Sequence, residues 1–131
     1  MNSDALQVLV DGWLAYHRAA QTDHFGAVEM PASDELFQFV IDVDDIVRSN
    51  PEDAWILIQL IFIACRGDME RACLAAGPLE DLLTKHGVTV IGRVEAAASK
   101  DGDFRELLMG VWRNGIAPGV WERVQRAAGA A

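Results

Sequence analysis

The chain has 131 residues, of which 51% are apolar and 24% are charged, and its formal net charge is −9. This composition excludes a disordered chain, because it supplies enough apolar surface for the core of one domain. Two cysteines are too few for a disulfide scaffold, and the longest apolar run, residues 54–65, is too short to span a bilayer. We therefore expect one soluble domain over residues 1–131. Its acidic first residues lack the features of a signal peptide, which predicts a cytoplasmic protein.

The first two predicted helices are amphipathic. Apolar residues recur at steps of three and four over residues 4–20 and place His17 on the apolar face, where we expect it to be partly buried. Residues 21–32 lack this period and contain turn-forming residues, which predicts a loop. Ser33 or Asp34 then caps a second helix.

The clearest helix start lies at residues 50–53 (Asn-Pro-Glu-Asp). Asn50 can accept a hydrogen bond from a free backbone amide, and Pro51 loses no hydrogen bond at the first helical position. The two following carboxylates meet the positive end of the helix dipole. The helix that follows, residues 51–66, is apolar on almost every side, so we predict that it lies in the middle of a bundle.

Several short helices are predicted in the second half of the chain. Residues 88–91 have a strand-like composition, but the apolar spacing up to Ala98 is helical and the sequence offers no other strand for pairing. We therefore predict a helix there. The predicted helices cover residues 68–76, 78–86, 88–99, 101 to a stop at Asn114-Gly115, and a last helix from Pro118.

These elements predict an all-α protein of seven to eight short helices. Short links favour antiparallel hairpins, which fit either a compact bundle or a small α-solenoid without a strict sequence repeat. Within it we distinguish the acidic N-terminal helices of residues 1–49 from a helical core over residues 50–128. The four tryptophans each join an apolar face and are predicted to belong to the core.

Residues 77–87 (Gly-Pro-Leu-Glu-Asp-Leu-Leu-Thr-Lys-His-Gly) combine two carboxylates with a histidine, so they need a chemical explanation. Glu80 and Asp81 are adjacent and point about 100° apart on a helix, so they cannot share one substrate atom. Their place in a first helical turn suits the helix dipole, and the flanking glycines suit left-handed helix ends. The start and end signals of a helix therefore explain these residues without a catalytic role.

The same segment carries a resemblance to a known family. Together with Trp55, Val94-Glu95 and residues 103–112, it resembles a family of small uncharacterised bacterial proteins that share a G-P-L-E-D-L-L-x-x-H-G core followed by an F-R-x-L-L-x-G-V-W-like segment. The resemblance covers residues 50–125. It implies a bacterial helical fold of unknown function and transfers no catalytic residue.

The sequence contains no arrangement typical of an enzyme or a metal site. None of the histidines has a second ligand at metal-binding spacing, and residues 42–45 begin like a calcium loop but lack its remaining ligands. Cys65 and Cys73 lie in apolar stripes, which predicts free buried thiols. We therefore predict a non-catalytic protein without metal or cofactor. The alternative is a small hydrolase-like enzyme in which the fold joins His17 or His86 to a carboxylate in a pocket.

The net charge is concentrated in the first half of the chain. Residues 1–55 hold eleven acids and two bases, whereas residues 56–131 hold nine of each. Such a field repels nucleic acids and anionic membranes, and it favours an acidic docking face for a basic protein partner. An immunity-type inhibitor of a basic toxin would be one such module, while a merely solubilising surface is the other interpretation. The candidate face consists of Asp42, Asp44, Asp45, Glu52 and Asp53.

Overall fold

The computed structural model describes residues 1–24 and 34–129, with side chains for residues 1–20 and 35–129. Over these residues the chain forms seven α-helices and no strand. Their bounds are α1 Ser3–His24, α2 Asp34–Ser49, α3 Pro51–Ala64, α4 Asp68–Leu74, α5 Glu80–Lys100, α6 Gly102–Leu108 and α7 Pro118–Ala127. The all-α prediction is confirmed, and the helices pack around one apolar core as a compact bundle.

The helix starts that rest on local chemistry are confirmed. The Asn50 side chain accepts a hydrogen bond from the Asp53 amide at 3.1 Å, and Pro51 is the first residue of α3. The Asp101 side chain likewise accepts from the Asp103 amide at 2.9 Å at the start of α6. Pro118 begins α7 as predicted.

The N-terminal boundaries differ in part from the prediction. Helix α1 continues to residue 24, four residues beyond the predicted end, so the predicted loop starts later than expected. The rest of that loop and the proposed cap at Ser33 lie outside the described residues. Helix α2 begins at Asp34.

The predicted break at Gly77-Pro78 is wrong. A π-helical segment, Ala75–Leu79, joins α4 directly to α5, so three predicted short helices form one helical path over residues 68–100. A proline inside an α-helix lacks the amide hydrogen and clashes with the carbonyl four residues earlier. The π turn pairs residues five apart instead of four, so the helical path continues through Pro78 without the regular α-helical pairing that proline disrupts. With the three helices joined, the described chain has six separate helical units rather than seven to eight.

Gly77 and Gly87 are not left-handed helix ends, because neither has a positive φ. The bend in α5 lies at His86, where φ is −134° and ψ is 29°. Gly87 instead allows α7 to approach α5, since a Cβ atom there would lie 2.9 Å from a methyl carbon of Val120. Between α1 and α2, Gly12 has the same role against the ring of Phe39.

Helix α3 occupies the centre of the bundle but is not enclosed on every side. It contacts α1, α2, α4 and α5. Ile58 is fully buried, whereas Ile56 and Ile63 are 47% and 78% exposed, so the prediction of burial all round is wrong for one face. Leu60 is only half-buried. The buried residues of α3 are Ala54, Trp55, Leu57, Ile58 and Ile61.

The tryptophans do not all belong to the core. Trp13 and Trp55 are buried and Trp121 is half-buried, but Trp112 is 70% exposed. Helix α6 ends at Leu108, well before the predicted stop, so residue 112 leaves the apolar face that helical spacing assigned to it. The prediction for Trp112 is therefore wrong.

We predict that Ile58→Asp unfolds the protein, because it places an unpaired charge among fully buried side chains. The cost of several kcal/mol is comparable to the whole stability of a domain, about 5–15 kcal/mol. Ile63→Asp, on the exposed side of the same helix, is the matched control and should change stability by less than about 0.5 kcal/mol. Far-ultraviolet circular dichroism during urea denaturation measures both. A folded Ile58→Asp variant would contradict the assignment of α3 to the core.

Candidate functional site

A cleft lies between α1, α2 and the helical path at the π segment. It encloses a cavity of about 250 Å³. Most of its wall is apolar, and its polar members are a histidine, a cysteine and two aspartates. The cleft residues are Trp13, His17, Phe37, Val40, Ile41, Val43, Asp44, Cys73, Gly77, Pro78 and Asp81.

Helical spacing brings these side chains together. On α1, Trp13 and His17 are one turn apart, and their rings lie 4.1 Å from each other between centroids. On α2, Phe37, Ile41 and Asp44 recur at steps of four and three, which places them on one flank of the helix. The π segment and the first turn of α5 form the side opposite α1 and α2. The cleft therefore depends on the path of the chain through residues 75–81.

His17 is half-buried, as predicted, and burial lowers its pKa from the ordinary value of 6.5. The negative charge of Glu70 acts in the opposite direction but is the smaller effect. That charge is largely neutralised, because Glu70 accepts hydrogen bonds from the Arg18 guanidinium at 2.8 and 3.1 Å and from the Arg66 amide at 2.9 Å. The imidazole is therefore held in its neutral form at pH 7.

The two cleft aspartates differ in their surroundings. Asp44 forms an ion pair with Arg48, one turn further along α2. Asp81 is half-buried, and the described residues provide it with no hydrogen bond or ion pair. Burial raises the pKa of Asp81, and the negative charges of Asp44 and Glu80 raise it further, while the positive charges of Arg48 and Lys85 oppose the rise with a smaller effect. The cleft thus contains one carboxylate that has lost part of its hydration without gaining a partner.

Cys73 completes the polar part of the cleft, and burial raises the pKa of its thiol. The thiolate is the reactive form of cysteine, so this environment makes Cys73 a poor nucleophile. Cys65 behaves similarly, with its pKa raised to about 11 mainly by burial. Both cysteines are free thiols, as predicted, but they are half-buried rather than buried.

The five acids predicted to form one docking face lie in three different environments. Asp42 and Asp45 lie on the outward side of α2, where Asp42 accepts a hydrogen bond from Gln38. Asp44 points into the cleft. Glu52 and Asp53 stand at the start of α3 in ion pairs. Their respective partners are Arg93, at 2.7 Å, and the amino group of Met1, at 2.9 Å.

Asp45 is exposed and Asp42 is half-buried, and further acids accompany them on α1 and α2. Asp4, Asp11 and Glu35 are exposed, and Asp11 accepts a hydrogen bond from Gln7 as Asp42 does from Gln38. Residues 1–20 and 35–49 contain two basic side chains, Arg18 and Arg48. Each forms an ion pair with a carboxylate. We call the following residues the acidic face: Asp4, Asp11, Glu35, Asp42 and Asp45.

Glu80 has a structural role that sequence reasoning missed. It is buried, and its carboxylate accepts hydrogen bonds from the Trp112 amide at 3.0 Å and the Asn114 side chain at 2.8 Å. It therefore anchors the segment between α6 and α7. The signal was a carboxylate that follows Leu79 and precedes Leu83 by one helical turn. The helix dipole does not explain it, because residue 80 lies inside a continuous helical path. His86 forms a similar link, because its Nε2 lies 2.9 Å from the Arg48 carbonyl oxygen at the end of α2.

In the described part of the chain, no group of three histidine, cysteine or acidic side chains is placed to hold a metal ion. No helix within it has the length and apolar composition needed to cross a membrane.

We predict that Glu80→Gln destabilises the protein by about 1–3 kcal/mol, because the introduced amide nitrogen cannot accept one of the two hydrogen bonds. The Trp112 amide should exchange its hydrogen faster in this variant. Glu122→Gln, at an exposed position of α7, is the matched control and should leave that exchange unchanged. Unaltered protection of Trp112 in Glu80→Gln would show that the carboxylate does not hold this segment.

We also predict that His17 makes stability decrease from pH 7 to pH 5. Well above pH 6.5 the imidazole is neutral in the folded and unfolded states, so it adds no pH dependence there. As the pH falls through 6.5, the unfolded chain binds the proton first, because burial lowers the pKa of His17 in the folded protein. Urea denaturation at each pH should show a smaller decrease for His17→Gln than for the natural sequence. Equal decreases would mean that His17 titrates alike in both states.

Comparison with known proteins places the chain in a family. No curated protein and no solved structure matches it. A family model, described as "Family of unknown function (DUF6869)", matches residues 29–131. The matched region contains α2–α7 and the segment 77–87, so the resemblance to a family of unknown function is confirmed. The chain belongs to the Family of unknown function (DUF6869).

Proposed function

We propose that this protein is a non-catalytic binding module whose acidic face docks a basic protein partner. The observation that carries the proposal is the charge of α1 and α2. Their exposed sides bear the acids of the acidic face, while their two described bases are already ion-paired with carboxylates. A surface of one sign attracts a partner of opposite sign and raises its association rate.

The docking face that we propose is narrower than the five acids predicted from the sequence. It keeps Asp45, which is exposed, and Asp42, which is half-buried and accepts a hydrogen bond from Gln38. Asp44 belongs to the cleft, and Glu52 and Asp53 are held in ion pairs within the chain. A partner would have to break those two ion pairs before it could pair with Glu52 or Asp53. We therefore assign the main contribution to partner binding to the acidic face.

An immunity-type inhibitor is the specific form of this proposal. Proteins that bind nucleic acids carry basic residues against the phosphates. A row of carboxylates offers such a surface the same charge as a phosphate backbone. Toxins that cleave nucleic acids are therefore the class of basic partner that this protein would fit.

The hydrolase alternative has one observation in its favour, since the cleft places His17 in the same cavity as Asp44 and Asp81. A catalytic histidine is normally oriented by a hydrogen bond from a carboxylate or to a nucleophile. Among the described residues, no hydrogen bond joins His17 to either aspartate or to Cys73. Together with the raised pKa of the Cys73 thiol, this supports binding over catalysis.

We predict that Asp42→Lys/Asp45→Lys weakens retention of a basic protein from a lysate of the source cell by about tenfold or more at low salt. Retention by the natural sequence should also decrease at high salt, because screening shortens the range of the attraction. Mass spectrometry identifies and quantifies the retained proteins.

The matched control is Glu106→Lys/Glu122→Lys, which makes the same change of charge at two exposed positions outside α1 and α2. This control should retain the same proteins as the natural sequence. If the α2 reversal also retained them, the acids on α2 would have no docking role. If both double variants lost them equally, net charge would replace a defined face as the cause.

A further inference from the structure

We infer that the cleft between α1, α2 and the π segment receives an arginine side chain of the protein partner, with an aliphatic neighbour of that arginine packing at its mouth. This inference deepens the proposed function and rests on it, because it names the group that anchors the basic partner.

The size and the wall of the cleft fit one long side chain. Its cavity of about 250 Å³ is smaller than the about 300–1,000 Å³ typical of pockets for drug-sized ligands. Trp13, Val43 and Pro78 give it an apolar wall. The aliphatic stem of an arginine packs on such a wall while the charged end seeks a carboxylate.

The charge of the cleft favours a cation. Asp44 forms an ion pair with Arg48. Asp81 is half-buried, and the charges of Arg48 and Lys85 act on it, but among the described residues neither forms an ion pair with it. A carboxylate that has lost part of its hydration destabilises the protein until it is paired or hydrogen-bonded. His17 does not oppose a cation, because burial keeps it neutral at pH 7. A guanidinium group would therefore supply Asp81 with the partner that the chain lacks.

The mouth of the cleft favours arginine over lysine. Phe37 is 44% exposed there, and Ile41 is exposed beside it. A planar guanidinium stacks on an aromatic ring and donates a forked pair of hydrogen bonds to a carboxylate. An ammonium group is a compact charge that can form neither the planar stack nor the forked pair. Ile41 offers apolar contact to a neighbouring aliphatic residue.

The cleft is continuous with the acidic face through α2. Asp42 and Asp45 lie on the outward side of this helix, and Phe37, Ile41 and Asp44 lie on the flank that borders the cleft. Protein interfaces commonly surround a buried anchor with a polar rim, and arginine is among the commonest anchors. A basic protein held by the acidic face would have the cleft within reach of its own surface.

The test is a titration of the isotope-labelled protein with the blocked peptide Ac-Gly-Leu-Arg-Leu-Gly-NH2, followed by amide resonances. We expect the peptide to shift resonances of α2 and of residues 75–81. The peptide in which citrulline replaces arginine keeps the shape and removes the charge, and it should bind at least about tenfold more weakly. The lysine peptide should fall between the two.

Two variants locate the binding. Asp81→Asn should weaken binding of the arginine peptide about tenfold or more, whereas Asp45→Asn, on the outward side of α2, should weaken it less than about threefold. Circular dichroism establishes that both variants are folded. The citrulline comparison uses the natural sequence and does not depend on either variant.

The outcomes separate the inference from the proposed function. Equal binding of the citrulline peptide would overturn the inference, because the cleft would then be selecting only an apolar side chain. Binding that depends on Asp45 and not on Asp81, or the absence of shifts around the cleft, would also overturn it while leaving the acidic face in place. The two experiments can fail separately. The peptide titration tests the cleft, whereas the lysate experiment tests the acidic face alone.

Discussion

A proline inside a continuous helical path is the constraint on which the rest of the structure depends. Pro78 cannot take part in regular α-helical hydrogen bonding, yet the chain continues as a helix from residue 68 to residue 100 by widening one turn. The π segment also places Asp81 beside α1 and α2 and directs the neighbouring Glu80 to the other side. One carboxylate then borders the cleft, and the other anchors the segment between α6 and α7.

Burial and charge act in opposite directions on the polar groups of the cleft, and the balance differs from one to the next. For His17, burial outweighs the nearby Glu70 because that carboxylate is paired with Arg18. For Asp81, burial and the neighbouring carboxylates act together and outweigh the positive charges of Arg48 and Lys85. The result is a neutral histidine and an unpaired acid on one apolar wall.

The fold could be predicted from the sequence wherever a single turn of chain decides the structure. The caps at Asn50 and Asp101 and the start at Pro118 follow from hydrogen bonding and dihedral angles within a few residues. The same local rules failed at Pro78, where the chain continues through a π turn instead of ending a helix. They failed at Trp112 because α6 ends early.

The candidate site could be predicted only in part. Its acids were visible in the sequence, but their grouping was not. Adjacent residues Asp44 and Asp45 face different environments, and the cleft joins Trp13 to Asp81 across most of the chain. Such a juxtaposition depends on how α1 packs against α2 and on the turn at Pro78. The spacing of residues within one helix therefore cannot predict which side chains meet in the cleft.

The hydrogen bond that closes the π turn is the most direct test of this account. The Glu80 amide donates to the carbonyls of Ala75 and Gly77, five and three residues earlier, where an α-helix would use Ala76. In labelled protein, scalar coupling through the hydrogen bond should therefore connect the Glu80 amide nitrogen to the carbonyl carbon of Ala75. Coupling to Ala76 instead would mean a regular α-helix, which turns Asp81 by about 100° and removes it from the cleft.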